Sequence, residues 1–253
     1  DRTYTYGSSN WSLNAISEPF TAPEQLPWKL NNPHSFTAEE LIYNSFYHWT
    51  PAISDFNDLS QIFDNQQGNL DDINTDNEVV QNLLRGYFRY WIDKVDVDGY
   101  RIDTVKYIKP EFFEGFANAT TPGNLGIREY AKSKGKSDFT LFGEAWSDSD
   151  ELCASYTKSA TGAARMDSMI YFPLNTAVRN VFGSGTSTSE LSAVLKRRYT
   201  SGYANPDKLV TFVDNHDMAR FRSIASARMN KAAYAFIMTI PGIPQVYYGT
   251  EQE

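Results

Sequence analysis

An arginine and an aspartate two residues apart, Arg101 and Asp103, interrupt the segment Asp98-Gly99-Tyr100-Arg101-Ile102-Asp103-Thr104-Val105-Lys106, which otherwise fits a buried strand. In an extended chain alternate side chains share a face, so the guanidinium and the carboxylate lie side by side. A neighbouring positive charge lowers a carboxyl pKa and keeps it ionised, as a nucleophile must be. Glu144, in Phe142-Gly143-Glu144-Ala145-Trp146, has the opposite surroundings. Its apolar flanks raise a carboxyl pKa and suit a proton donor. A third carboxylate, Asp217, follows His216. Three carboxylates of unequal character suit acid/base chemistry without a redox cofactor. In glycoside hydrolysis with retention one carboxylate attacks the anomeric carbon, a second donates a proton to the leaving oxygen, and the two stand about 5 to 5.5 Å apart. Taken singly, each also reads as structure: a strand-end ion pair, a helix-capping glutamate, a satisfied His-Asp turn.

The elements that must carry these groups can be read from periodicity. Residues 1 to 75 are rich in Asn, Ser, Asp, Pro and aromatics with little sustained periodicity, which predicts a loop-rich subdomain whose small core is Tyr43, Phe46, Tyr47 and Trp49. Trp49 is also a candidate for stacking on a sugar. Thr75-Asp76-Asn77-Glu78 has capping-box spacing. The apolar positions Val80, Leu84, Tyr87, Phe88, Trp91 and Val95 then recur at helical spacing. Beyond the Asp103 segment, helical patterns (108 to 117, after Asp148, up to about 200, 227 to 240) alternate with extended ones (138 to 146, 166 to 171, 208 to 213, 244 to 248). About five strands separated by helices imply a parallel sheet. Acidic residues close three of them, the arrangement of a (β/α)8 barrel with its site at the C-terminal strand ends. An open doubly wound sheet is the competing architecture, but no Gly-x-Gly-x-x-Gly follows any strand.

Composition narrows the partners. A net charge of -8 with no basic run argues against nucleic acid. No apolar run is long enough to span a bilayer. The 16 Tyr and 5 Trp suit stacking on sugar faces, and a single cysteine, Cys153, precludes an intrachain disulfide. The cut-looking ends suggest a fragment of a longer chain.

Three segments, 98 to 106, 142 to 146 and Phe212-Val213-Asp214-Asn215-His216-Asp217, resemble in order and spacing three short conserved regions of the α-amylase family of retaining glycoside hydrolases. Gly242 to Gln252 looks like that family's last barrel strand, and Leu70-Asp71-Asp72-Ile73-Asn74 is similar to a motif near the end of its inserted B domain. The resemblance implies a partial (β/α)8 TIM barrel, about strands 4 to 8, over residues 76 to 253, with the B domain at 1 to 75. It implies Asp103 as nucleophile, Glu144 as acid/base and Asp217 as transition-state stabiliser. Arg101 would orient the nucleophile, His216 and Trp146 would contact the sugar, and Lys106 would line the leaving-group side. A structural calcium would take Asp72 and the backbone carbonyl of Tyr107, where many relatives carry His. The family's earlier Asp-x-x-x-Asn-His type motif and first three strands do not occur in the chain, so the expectation is an open barrel, inactive in isolation. The implied activity is endo-type hydrolysis of α-1,4 bonds in starch-like glucans by an extracellular monomer. The alternatives are a glucanotransferase, such as one forming cyclodextrins, and a non-catalytic carbohydrate-binding relative.

Overall fold

Val210-Thr211-Phe212 is buried at every position, whichever face each side chain takes. A strand covered on both faces belongs in a parallel sheet under helices. In the computed structural model, which describes residues 4–6, 11–13, 45–48, 50–68 and 70–250, the chain divides into two units. One comprises residues 1–98 and 106–137, the other 99–105 and 138–253.

In the first unit, β1 (Tyr4–Tyr6) pairs antiparallel with β2 (Trp11–Leu13), and β3 (Tyr47–His48) with β4 (Asp72–Ile73). Helix α1 (Leu59–Asp64) lies between β3 and β4 in sequence. The long helix α2 (Glu78–Val95) starts at Asn77, whose side chain accepts from the N–H groups of Val79 and Val80. That displaces the expected Thr75–Glu78 capping box: asparagine caps as well as threonine, and the helix begins two residues later. Phe46 is buried against Val80 of α2, with Tyr47, Ile73, Leu84 and Tyr87 around them. The small core expected within residues 1 to 75 is therefore shared with this helix, while Tyr43 and Trp49 lie outside the described residues. Helices α3 (Phe112–Asn118) and α4 (Ile127–Ser133) complete the unit, α3 through the edge-on contact of Phe116 with Phe88 of α2.

The second unit is built on five short parallel strands. They are β5 (Gly99–Ile102), β6 (Thr140–Gly143), β7 (Ser168–Met169), β8 (Val210–Phe212) and β9 (Ile243–Gln245). β5, β6 and β7 pair in sequence order, β8 pairs with β9, and a parallel bridge from Ile170 to Val210 joins the two sets. Between them in sequence run α5 (Asp150–Ser155), α6 (Phe172–Val178) with a π-helical continuation (Arg179–Ser184), α7 (Ser189–Arg197) and α8 (Ala227–Thr239). Neighbours in space that are also neighbours in sequence, all parallel, make the wall of a barrel rather than a doubly wound sheet, whose order reverses. The β5–β6 contact requires a glycine: a Cβ on Gly99 would stand 2.5 Å from the Thr140 carbonyl oxygen. Among the described residues, no helix is long and apolar enough to cross a membrane.

Candidate active site

β5 stops at Ile102, so Asp103 sits in the turn beyond it rather than on the strand. That turn is held by the neighbouring strand's continuation. The Glu144 N–H donates to the Ile102 carbonyl at 2.9 Å, and the Glu144 carbonyl accepts from the Val105 N–H at 2.9 Å. Between these bonds Thr104 takes a left-handed conformation, φ 49°. For a β-branched residue this is strained and persists only where the surroundings fix it.

Arg101 lies between the two expected catalytic carboxyls. Its Nη1 is 2.9 Å from Asp103 Oδ1 and its Nη2 is 2.8 Å from Glu144 Oε2. Each carboxyl also perturbs the pKa of the other. Their environments differ as expected: the Glu144 side chain is 6% exposed and that of Asp103 60%. Burial, then the hydrogen bond to Asp103, pushes Glu144 from its ordinary 4.5 up to about 7, with the charges of Asp103 and Asp217 adding and Arg101 opposing. Asp103 is held below its ordinary value, first by the hydrogen bond from Glu144 and further by the charges of Arg101 and His216. Glu144 is thus pushed towards its protonated form and Asp103 towards its ionised form.

His216 and Asp217 lie four and five residues downstream of β8 rather than at its end, half-exposed, with His216 Nε2 3.2 Å from Asp217 Oδ2. Their charges reach the pair: Asp217 helps raise Glu144 and His216 helps lower Asp103. Trp146, 50% exposed, stacks on Phe172 with ring centroids 5.3 Å apart and planes 17° from parallel. The structure thus gathers Arg101, Asp103, Glu144, His216 and Asp217 at the C-terminal side of one parallel sheet. Lys106 and Tyr107 belong to the first unit, where the Lys106 ammonium lies over the Tyr107 ring at 5.0 Å. Two contributors were not foreseen: Thr104, because nothing in a threonine announces positive φ, and Asn215, whose side chain accepts from the Asp217 N–H at 3.0 Å. An Asn two residues before a presented Asp is a legible Asx-turn signal.

The expected calcium ligand Asp72, on β4, hydrogen-bonds His48 Nδ1 through Oδ2 at 2.7 Å. That bond raises the His48 pKa, while burial raises that of Asp72. Nearby, His48, Asp64 and Asp76 each offer a ligand atom within 4.8 Å of the others. The Lys109 ammonium meets Asp64 at 2.9 Å and Asp76 at 2.6 Å. Carboxylates of this kind fit a hard cation that takes oxygen ligands, with Lys109 a built-in competitor for two of them.

The family model for the α-amylase catalytic domain matches residues 45–253. The chain belongs to the α-amylase family. It is 32% identical over 196 residues to an α-amylase of Streptomyces lividans, covering 72% of this chain and 20% of that protein. To a cyclomaltodextrin glucanotransferase of Bacillus licheniformis it is 32% identical over 210 residues, 83% of this chain and 27% of the relative. An α-amylase of Geobacillus thermoleovorans, solved in complex with acarbose, superposes with a TM-score of 0.70 at 31% identity, over 89% of this chain and 46% of that one. This α-amylase-family chain thus spans less than half the length of these relatives, and its five-stranded parallel wall is a partial (β/α)8 barrel.

Proposed function

We propose that the intact protein cleaves internal α-1,4-glucosidic bonds of starch-like glucans with retention of configuration. The observation that carries this is the shared guanidinium: Arg101 binds an exposed Asp103 and a buried Glu144 at 2.9 and 2.8 Å. Asp103 attacks the anomeric carbon and forms a glycosyl-enzyme ester while Glu144 delivers its proton to the departing oxygen. Glu144, then ionised, takes a proton from the incoming water, which releases the sugar. Two carboxyls that share one guanidinium suit this double displacement, in which they stand about 5 to 5.5 Å apart, whereas inversion needs about 6.5 to 9.5 Å for a water between them.

In this reading Asp217 and His216 bind sugar hydroxyls as the ring flattens, Trp146 offers a stacking face, and Lys106 lines the leaving-group side. The five strands are barrel strands 4 to 8, and residues 1 to 75 are the B domain inserted after strand 3. Asp72 and the Tyr107 carbonyl would hold calcium, whose place is structural and not part of the reaction. The test is product analysis on maltoheptaose with the intact protein: short linear products with retained anomeric configuration are expected, and inverted products would overturn the mechanism. The second reading, glucanotransfer, is favoured by the cyclomaltodextrin glucanotransferase relative, which matches at the same 32% identity as the amylase. It shares the ester intermediate and predicts cyclic or longer products in the same assay.

A further inference from the structure

Asp214 lies two residues beyond β8 and three before Asp217, and its side chain is only 4% exposed. A buried carboxylate is costly unless its oxygens are hydrogen-bonded. Here both are, and to different elements. Oδ2 accepts from the Phe221 N–H at 2.8 Å, and Oδ1 accepts from the Tyr234 hydroxyl of α8 at 3.0 Å. The first of these bonds closes the stretch 214–221 on itself, with His216 and Asp217 inside the closed loop.

We propose that Asp214 is a positioning residue that fixes this loop so that Asp217 meets the sugar at the distance the reaction needs, a role that rests on the reading of Asp217 given above. The rest of the loop is fastened in the same manner. On its entry side, Asn175 of α6 donates to the Phe212 and Val213 carbonyls at 3.2 and 2.8 Å, and Arg179 donates to the Val213 carbonyl at 3.3 Å. On its exit side Phe221 is fully buried, with the Arg179 guanidinium 5.7 Å from its ring centre. Between these anchors the Asn215 side chain sets the Asp217 main chain. A half-exposed pair on a loop clamped at both ends is how a side chain is presented rigidly to a ligand. A carboxylate suits the task because its partners, the Phe221 N–H, the Tyr234 hydroxyl and, at 3.9 Å, the Arg220 guanidinium, are all donors and it only accepts.

Kinetics on the intact protein with a chromogenic maltoheptaoside test this, each variant assayed well below its own melting temperature. Asp214→Ala orphans the Phe221 N–H and frees the loop. It is expected to lower kcat about 10- to 100-fold with KM within about twofold, since a shift of about 1 Å can cost about a hundredfold. Asp214→Asn still accepts from Phe221 and can donate to the Tyr234 hydroxyl, so kcat should stay within about fivefold of the parent. If the alanine variant does not fold, Tyr234→Phe replaces it, with a drop in kcat greater than that of Asp214→Asn expected. Parental kcat in Asp214→Ala, or in Tyr234→Phe where it is used, overturns the positioning role, as does a loss appearing wholly in KM. If Asp217→Asn is inactive in that same series, the proposed chemistry survives. An Asp217→Asn variant as active as the parent would instead overturn the reading of Asp217 itself.

Discussion

Replacing Glu144 by glutamine removes one titrating group and leaves a side chain of the same shape, so the difference between the two proteins isolates the pKa shift. Folded Glu144 binds its proton up to about pH 7, whereas its ordinary value is 4.5. Below pH 4.5 both folded and unfolded chains carry the proton. Between 4.5 and about 7 only the folded chain does, so each pH unit subtracts about 1.36 kcal/mol from stability. Above about 7 both are ionised and the loss levels off at about 3 kcal/mol. Asp103, shifted the other way, changes stability only in the acid range below this window. The assay is urea unfolding of parent and Glu144→Gln at half-unit steps from pH 4.5 to 8. The parent should fall relative to the variant by about 3 kcal/mol and then run parallel to it. The same group sets the alkaline limb of kcat/KM, near pH 7, and the variant should lose about 10²- to 10⁴-fold in kcat as its proton donor disappears. Two stability curves that stay parallel across the window would refute the assignment of the proton to Glu144, whatever the kinetics.

Gly99→Ala would place a Cβ 2.5 Å from the Thr140 carbonyl oxygen, and separating β5 from β6 should cost about 1 to 3 kcal/mol in urea unfolding; an unchanged midpoint would mean the strands are not so close. Trp146→Ala should raise KM for maltoheptaose about two- to tenfold with kcat retained, since stacking of about 0.5 to 1.5 kcal/mol is lost from ground and transition state alike; a loss confined to kcat would contradict a stacking role. Calcium should raise the melting temperature of the intact protein and a chelator lower it, by about 2.7 kcal/mol of binding free energy at a hundredfold excess over the dissociation constant. Asp72→Asn should shrink that difference, and an undiminished response would exclude Asp72 as a ligand.

Much of the candidate site was legible because charged residues stand out where a strand wants apolar ones. Arg101, Asp103 and Glu144 stand out for that reason, and the contrast between a paired and an apolar carboxyl environment carries through to the shifts in the structure. Less legible was how Asp103 reaches its partner. Strand alternation put it beside Arg101, yet β5 ends one residue earlier and a left-handed Thr104 turns the chain, a conformation that threonine disfavours and that only the Glu144 backbone explains. The expected strand 166 to 171 shrinks to Ser168–Met169 because its flank changes partners: Ile170 donates to Gly143, and Tyr171 to Val210 on the other side. Periodicity says nothing of contacts distant in sequence, so the packing of Phe46 on Val80 is not visible in it. Asp217 was placed at a strand end, whereas a loop with its own internal bonds carries it further.

The main-chain bonds from residue 144 to Ile102 and Val105 engage its peptide groups and not its carboxyl. The backbone turn that carries Asp103 therefore does not depend on the side chain at position 144. Truncating that residue to alanine should leave an intact nucleophile facing a small vacancy, one that azide or formate could enter. Such a protein, fed a substrate whose leaving group needs no proton, becomes a vessel for installing foreign nucleophiles on the sugar.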